Sequence, residues 1–124
     1  MRAWWKRGCG AAILAVSAAN RMGAGYVRAY VCEEAARILH AVQPSVVTLP
    51  ASDYASGSQP DERHPLAAVV GCGMRVPEEL RLVVDVLEST DAPVLVDGGG
   101  LAALGTPAGL AALKRRFVEG FLRW

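Results

Sequence analysis

The chain is poor in aromatics, at 6% of 124 residues, and has almost no net charge, with 13 basic residues against 12 acidic ones. Without a long basic run or interleaved aromatic and basic residues, it lacks the footprint of a nucleic-acid binder, and no such partner is expected. No apolar run approaches the roughly 18 residues of a membrane span, so no membrane partner is expected either. The three cysteines, Cys9, Cys32 and Cys72, are odd in number and form no C-x-x-C pair. That spacing suggests neither a disulfide framework nor a zinc site, and it fits a reducing cytoplasm. Two phosphate-binding signatures, G-x-G-x-x-G and G-x-x-x-x-G-K-[ST], are also missing, and no serine stands in the G-x-S-x-G setting of a hydrolase elbow.

What is present is material for one core, since 52% of the residues are apolar and the length suits a single domain over 1–124. Arg2, Lys6 and Arg7 precede the apolar stretch 8–16, and Ser17-Ala18-Ala19 follows it, which imitates a secretory leader. The pattern runs on past that point. Ala11, Leu14, Ala15, Ala18 and Met22 recur at i, i+3, i+4, i+7 and i+11, predicting one apolar face of a helix rather than a leader.

Gly23-Ala24-Gly25 stops that helix, and 26–31 has the composition of a strand. A helix over 33–42 should bury Ala35, Ile38, Leu39 and Val42, with Glu33 and Glu34 in its favourable first turn and Pro44 beyond its end. A strand over 45–49 and an exposed loop over 50–64 follow, with no domain boundary there. The strand at 66–70 is closed by Gly71-Cys72-Gly73. A helix with Pro77 in its first turn should bury Leu80, Val83, Val84 and Leu87 and end near Ser89. The run 92–97 predicts a fourth strand ending in Asp97 and Gly98-Gly99-Gly100, and Thr106 is placed to cap a last helix through Leu113 to Phe117. Lys114, Arg115 and Arg116 are read as its wet side. Alternating strands and helices predict an α/β fold with a mainly parallel sheet, flanking helices and right-handed crossovers.

In a parallel sheet the two glycine turns fall at the carboxyl edge, where ligands bind; glycines after a strand also serve plain turns, and the residues alone leave both readings open. Phosphate could meet the amides of a following helix start. His40 and His64 read as solvated surface residues, and Cys72 as a small buried residue that would become reactive only if amides or cations lowered its pKa.

Three segments, in order, resemble the nucleotide-dependent NAD(P)H-hydrate dehydratases of the ribokinase-like superfamily. Residues 10–25, G-A-A-I-L-A-V-S-A-A-N-R-M-G-A-G, are similar to that family's G-A-A-x-L-A-x-x-A-A-x-R-x-G-A-G helix. Residues 68–74, A-V-V-G-C-G-M, resemble A-x-x-I-G-P-G-L, with Cys72 where proline is usual, and the segment around Asp97 resembles V-L-D-A-D-A-L or V-L-D-A-G-A-L. The resemblance covers about residues 10–104.

It implies a partial ribokinase-like domain and a lyase that dehydrates hydrated NADH or NADPH at the expense of ADP or ATP with Mg2+. It implies that the hydrated nicotinamide nucleotide meets Ala11 and Gly73, that Gly98, Gly99 and Gly100 line the same crevice, and that Asp97 orients this edge or helps hold a metal-bound phosphate. The family's T-P-H-x-G-E segment and its late glycine loop, ending in the aspartate taken as general base, have no counterpart here. The chain is therefore expected to represent the amino-terminal half of the catalytic domain, from a truncated or frame-disrupted reading frame. Alone it should be inactive, with no catalytic residue of its own and no assigned metal ligands. A half-domain should also expose apolar surface, and whether a homo-oligomer covers it is left open. The rival readings are a non-enzymatic α/β binding module or half of a split enzyme, and a small-molecule kinase of the same superfamily.

Overall fold

The computed structural model describes residues 5–54, 67–75 and 79–122, with side chains over 9–54, 67–75 and 79–118. The expectations for Leu66, Pro77, His64 and most of the 50–64 loop lie outside the described residues. The chain divides into two compact units, Met1–Tyr54 and Ala55–Trp124. Each carries a parallel two-stranded sheet with flanking helices, so the α/β class and the parallel pairing are both observed, as two separate strand pairs.

The first unit contains α1 (Trp5–Arg21), β1 (Arg28–Val31), α2 (Glu33–Val42), β2 (Val47–Pro50) and a 3-10 turn over Ala51–Asp53. α1 ends as the glycines predict. The Gly23 amide bonds to the Asn20 carbonyl at 3.1 Å and the Ala24 amide to the Ala19 carbonyl at 3.1 Å, the paired bonds of a Schellman stop. At the other end of the next strand, the Ala35 amide donates to Cys32 Sγ at 3.4 Å, so this thiol caps α2. Asn20 Nδ2 donates to Gln43 Oε1 and Gln43 Nε2 to Ser17 Oγ, both at 3.0 Å, tying the ends of the two helices together.

The core of this unit is Cys9, Val16, Val31, Ala35, Leu39 and Val46, with Ala12, Ile13 and Cys32 among the residues packed against it. This corrects the predicted face of α1. Cys9, Ala12, Ile13 and Val16 point inward, whereas Leu14 is 73% and Met22 87% exposed. The two sets differ by two positions, about 200° around a helix, and are nearly opposite. In an alanine-rich segment both faces satisfy the apolar spacing, and the β-branched Ile13 and Val16 decide which one fills the core. In α2, Ala35 and Leu39 are buried as predicted, but Ile38 and Val42 are exposed. His40 is exposed, with its Nε2 2.8 Å from Thr48 Oγ1.

The second unit contains β3 (Ala68–Val70), α3 (Leu80–Ser89), β4 (Val94–Val96), α4 (Gly99–Leu104) and α5 (Pro107–Leu122). Val83, Val84, Val86 and Leu87 of α3 are buried, as are Val70, Ala103 and Ala112. Thr106 caps α5 as predicted, accepting from the Gly109 amide at 3.1 Å, with Pro107 at the first helical position. α4 is an element that the sequence does not signal, because two of its six residues are glycine, a poor helix former.

Arg116 corrects the reading of the basic run in α5. Lys114 and Arg115 face water, but the Arg116 guanidinium turns in and donates to the carbonyls of Leu87, Thr90 and Ala92. The last carbonyls of α3 lack intrahelical partners, and a cation there also complements the helix dipole. The expected exposed apolar surface is present at Val69 and Leu95, paired across the strands and 55% and 58% exposed.

Candidate functional site

The register of β3 and β4 builds the candidate site. Val70 pairs with Val96, so the next residues, Gly71 and Asp97, lie side by side at the carboxyl edge, and the Asp97 amide donates to the Val70 carbonyl at 3.0 Å. The two glycine turns therefore share one edge, as a parallel pairing requires.

Their glycines have two different roles. Gly71 has φ +103°, and a Cβ there would stand 2.0 Å from the Asp97 carbonyl oxygen and 2.6 Å from the Gly100 nitrogen. A Cβ on Gly99 would stand 2.1 Å from the Met74 carbonyl oxygen. These residues let the two turns pack backbone against backbone. The Gly71 carbonyl accepts from the amides of Met74 at 3.0 Å and Gly99 at 3.1 Å, sealing that contact. Gly71 and Gly100 are buried, whereas Gly73, Asp97 and Gly98 are exposed, with Cys72 half-buried between them.

Of the residues implied to line a crevice, Gly73, Asp97 and Gly98 thus form an accessible rim. Gly99 and Gly100 supply its foundation. The amide of Gly100 donates to the Asp97 carbonyl at 2.9 Å and that of Leu101 to the Gly98 carbonyl at 3.1 Å. With Gly99 also engaged, these three amides at the start of α4 are taken up by backbone carbonyls.

Cys72 Sγ lies 3.7 Å from Asp97 Oδ2 and donates to it. Burial, and then the Asp97 carboxylate, push the Cys72 thiol above its ordinary value. Both effects favour the protonated thiol, so this cysteine is not an activated nucleophile. The segment after the turn is held by Glu79, a buried residue unremarked in the sequence. Its Oε2 accepts from the Arg75 amide, and its own amide donates to the Arg75 carbonyl at 3.0 Å. Its position after a proline, at the head of an apolar helix, is the signal that could have found it.

Ala11 belongs to the first unit and is half-buried. It stands inside α1, which begins at Trp5. Among the described residues no group of three or more His, Cys, Asp or Glu side chains is gathered for a metal. Asp97 is a single exposed carboxylate, and the amides beside it are engaged. Magnesium in a nucleotide complex is held by one or two carboxylates together with phosphate oxygens and waters, and the described rim supplies one such carboxylate.

The sequence profile of the NAD(P)H-hydrate dehydratases matches residues 6–118. The chain belongs to this family. The match extends beyond both ends of the resemblance read from motifs and runs through both compact units. No curated protein and no solved structure gives a significant match. NAD(P)H-hydrate dehydratase chemistry is therefore established for the family, and the α/β architecture agrees with part of a ribokinase-like domain. No helix among the described residues is long and apolar enough to cross a membrane.

Proposed function

We propose that Gly73, Asp97 and Gly98 form one wall of a site for hydrated NADH or NADPH, in a chain built for nucleotide-dependent dehydration of that substrate. The observation that carries this reading is the juxtaposition of two glycine turns and one carboxylate at the carboxyl edge of β3 and β4. Gly73 and Gly98 present backbone without a side chain, so the hydrated ring can approach closely, while Asp97 can accept hydrogen bonds from its hydroxyl or amide. The continuous family match supports treating 1–124 as parts of one catalytic domain.

The reaction is a carbon–oxygen elimination of water, with ADP or ATP and Mg2+ as co-reactants by family likeness and the cytoplasm as its compartment. The family's nucleotide loop and general base belong to motifs absent from these 124 residues. Ala11 has only the family likeness in its support.

Titration of the purified chain with hydrated NADH should show saturable binding. Asp97→Ala should weaken it by about tenfold, or about 1.4 kcal/mol. Supplied with ATP or ADP and magnesium, the chain alone should regenerate reduced-cofactor absorbance no faster than the protein-free control. Binding unaffected by Asp97→Ala would remove the rim from the site, and turnover above the control would overturn the assignment of an incomplete catalytic apparatus.

A further inference from the structure

The turn after β3 runs from Gly71 to Met74. The Met74 amide closes it on the Gly71 carbonyl at 3.0 Å, and Gly73, its third residue, has φ +73°. That bond and a left-handed third residue mark a type II turn, whose second position favours proline because the ring pre-sets φ. Cys72 holds that second position. It lacks the ring but brings a donor, since its thiol reaches the neighbouring turn with Sγ 3.7 Å from Asp97 Oδ2. Among the described residues no other side chain bonds Asp97, and its Oδ1 accepts from no described donor. Backbone bonds hold the two turns together, through the Asp97 amide on the Val70 carbonyl at 3.0 Å and the Gly99 amide on the Gly71 carbonyl at 3.1 Å. Neither bond reaches the carboxylate.

We propose that Cys72 is a positioning residue of the rim, whose thiol holds one oxygen of Asp97 and so sets the other to accept from the bound ligand. This rests on the reading of Gly73, Asp97 and Gly98 as one wall of a site for hydrated NADH or NADPH. An exposed carboxylate turns about its side-chain bonds, and a ligand that must order it loses affinity in doing so. The thiol bond removes part of that freedom before the ligand arrives. Burial and the carboxylate both keep the thiol protonated, so the donor is present at neutral pH. Cys72 acts through Asp97 and takes no part in the elimination itself.

The test measures hydrated NADH binding to the full chain and to Cys72→Ser, Cys72→Ala, Cys72→Pro and Asp97→Ala, with a urea midpoint for each. Cys72→Ser keeps a donor and should bind as the unaltered chain does. Cys72→Ala and Cys72→Pro lose it and should each bind about threefold more weakly. Cys72→Pro should nevertheless keep or raise the urea midpoint, because proline suits that turn position. A merely structural cysteine would not separate binding from stability in this way. With Asp97→Ala already in place, Cys72→Ala should weaken binding no further. Unchanged affinity in Cys72→Ala and Cys72→Pro, beside a loss in Asp97→Ala, overturns the positioning role and leaves the rim in the site. No loss in Asp97→Ala removes the rim from the site and the positioning role with it. A Cys72→Ser chain as weak as Cys72→Ala, or a Cys72→Ala loss undiminished in the Asp97→Ala background, also overturns the proposal. The serine, alanine and double variants decide it even if Cys72→Pro does not fold.

Discussion

The two units use the same device in different ways. In the first, β1, α2 and β2 form a strand, a ten-residue helix and a parallel strand; in the second, β3, α3 and β4 repeat that order, again with ten residues in the helix. The difference lies in the connection after the first strand. β1 passes through Cys32 alone into α2, and that residue caps the helix with its side chain. β3 passes instead through Gly71, Cys72 and Gly73 before α3 begins at Leu80, and its cap residue Glu79 makes no capping side-chain bond. A minimal junction caps the next helix directly, and a glycine turn leaves exposed backbone at the sheet edge, where the ligand site is proposed. Both units share the βαβ frame, so the proposed site rests on the loop rather than on the frame.

The sharpest way to break this contrast is to add one methyl group in each unit. Gly71→Ala would force Cβ against the Asp97 carbonyl from a left-handed backbone, and it should lower the unfolding free energy by about 2–4 kcal/mol. Gly10→Ala, in an exposed helical position with nothing within 4 Å of the added carbon, should instead stabilise by about 0.5–1 kcal/mol. Urea melts of both variants measure the difference. Equal effects would mean that the two turns do not depend on their close backbone approach.

Such a difference was only half legible in the sequence. Val83, Val84 and Leu87 mark the inner face of α3 because they stand among charged residues such as Arg81, Asp85 and Glu88, so one face alone is apolar. α1 gives no such contrast, and its periodicity selected the wrong side. Gly98-Gly99-Gly100 announced a turn and concealed a helix start, because local propensity opposes α4 and packing sustains it. The rim was visible as a pair of glycine turns after strands. Which glycines are buried and which are accessible depends on backbone contacts between residues more than twenty positions apart, and no local pattern encodes those.

Arg116 offers an intermediate effect within the second unit. Its guanidinium serves three carbonyls near the end of α3, whereas Arg115 pairs with Glu88 at the surface. Arg116→Ala leaves half-buried carbonyls without that donor and should cost about 1–3 kcal/mol. Arg115→Ala removes a solvent-exposed pair and should cost about 0–1 kcal/mol. Thermal or urea unfolding distinguishes them, and an equal loss would return Arg116 to the wet face that the sequence suggested.

The smallest effect concerns the thiols of the two units. Cys9 and Cys72 are both raised chiefly by burial, but only Cys72 has Asp97 as its second cause. Asp97→Asn removes that negative charge, so the pH midpoint for Cys72 alkylation should fall while remaining above that of an ordinary thiol, because burial persists. Cys9 should keep its midpoint. Stability responds with a definite sign. Above about pH 8.5 an unfolded thiol loses its proton while these native thiols retain theirs, so stability falls as pH rises through the folded pKa values. Asp97→Asn should make that alkaline decline shallower. Site-resolved alkylation read by mass spectrometry checks both cysteines in one experiment. A Cys72 midpoint unmoved by Asp97→Asn would mean that the carboxylate is directed away from the thiol and that burial alone governs it.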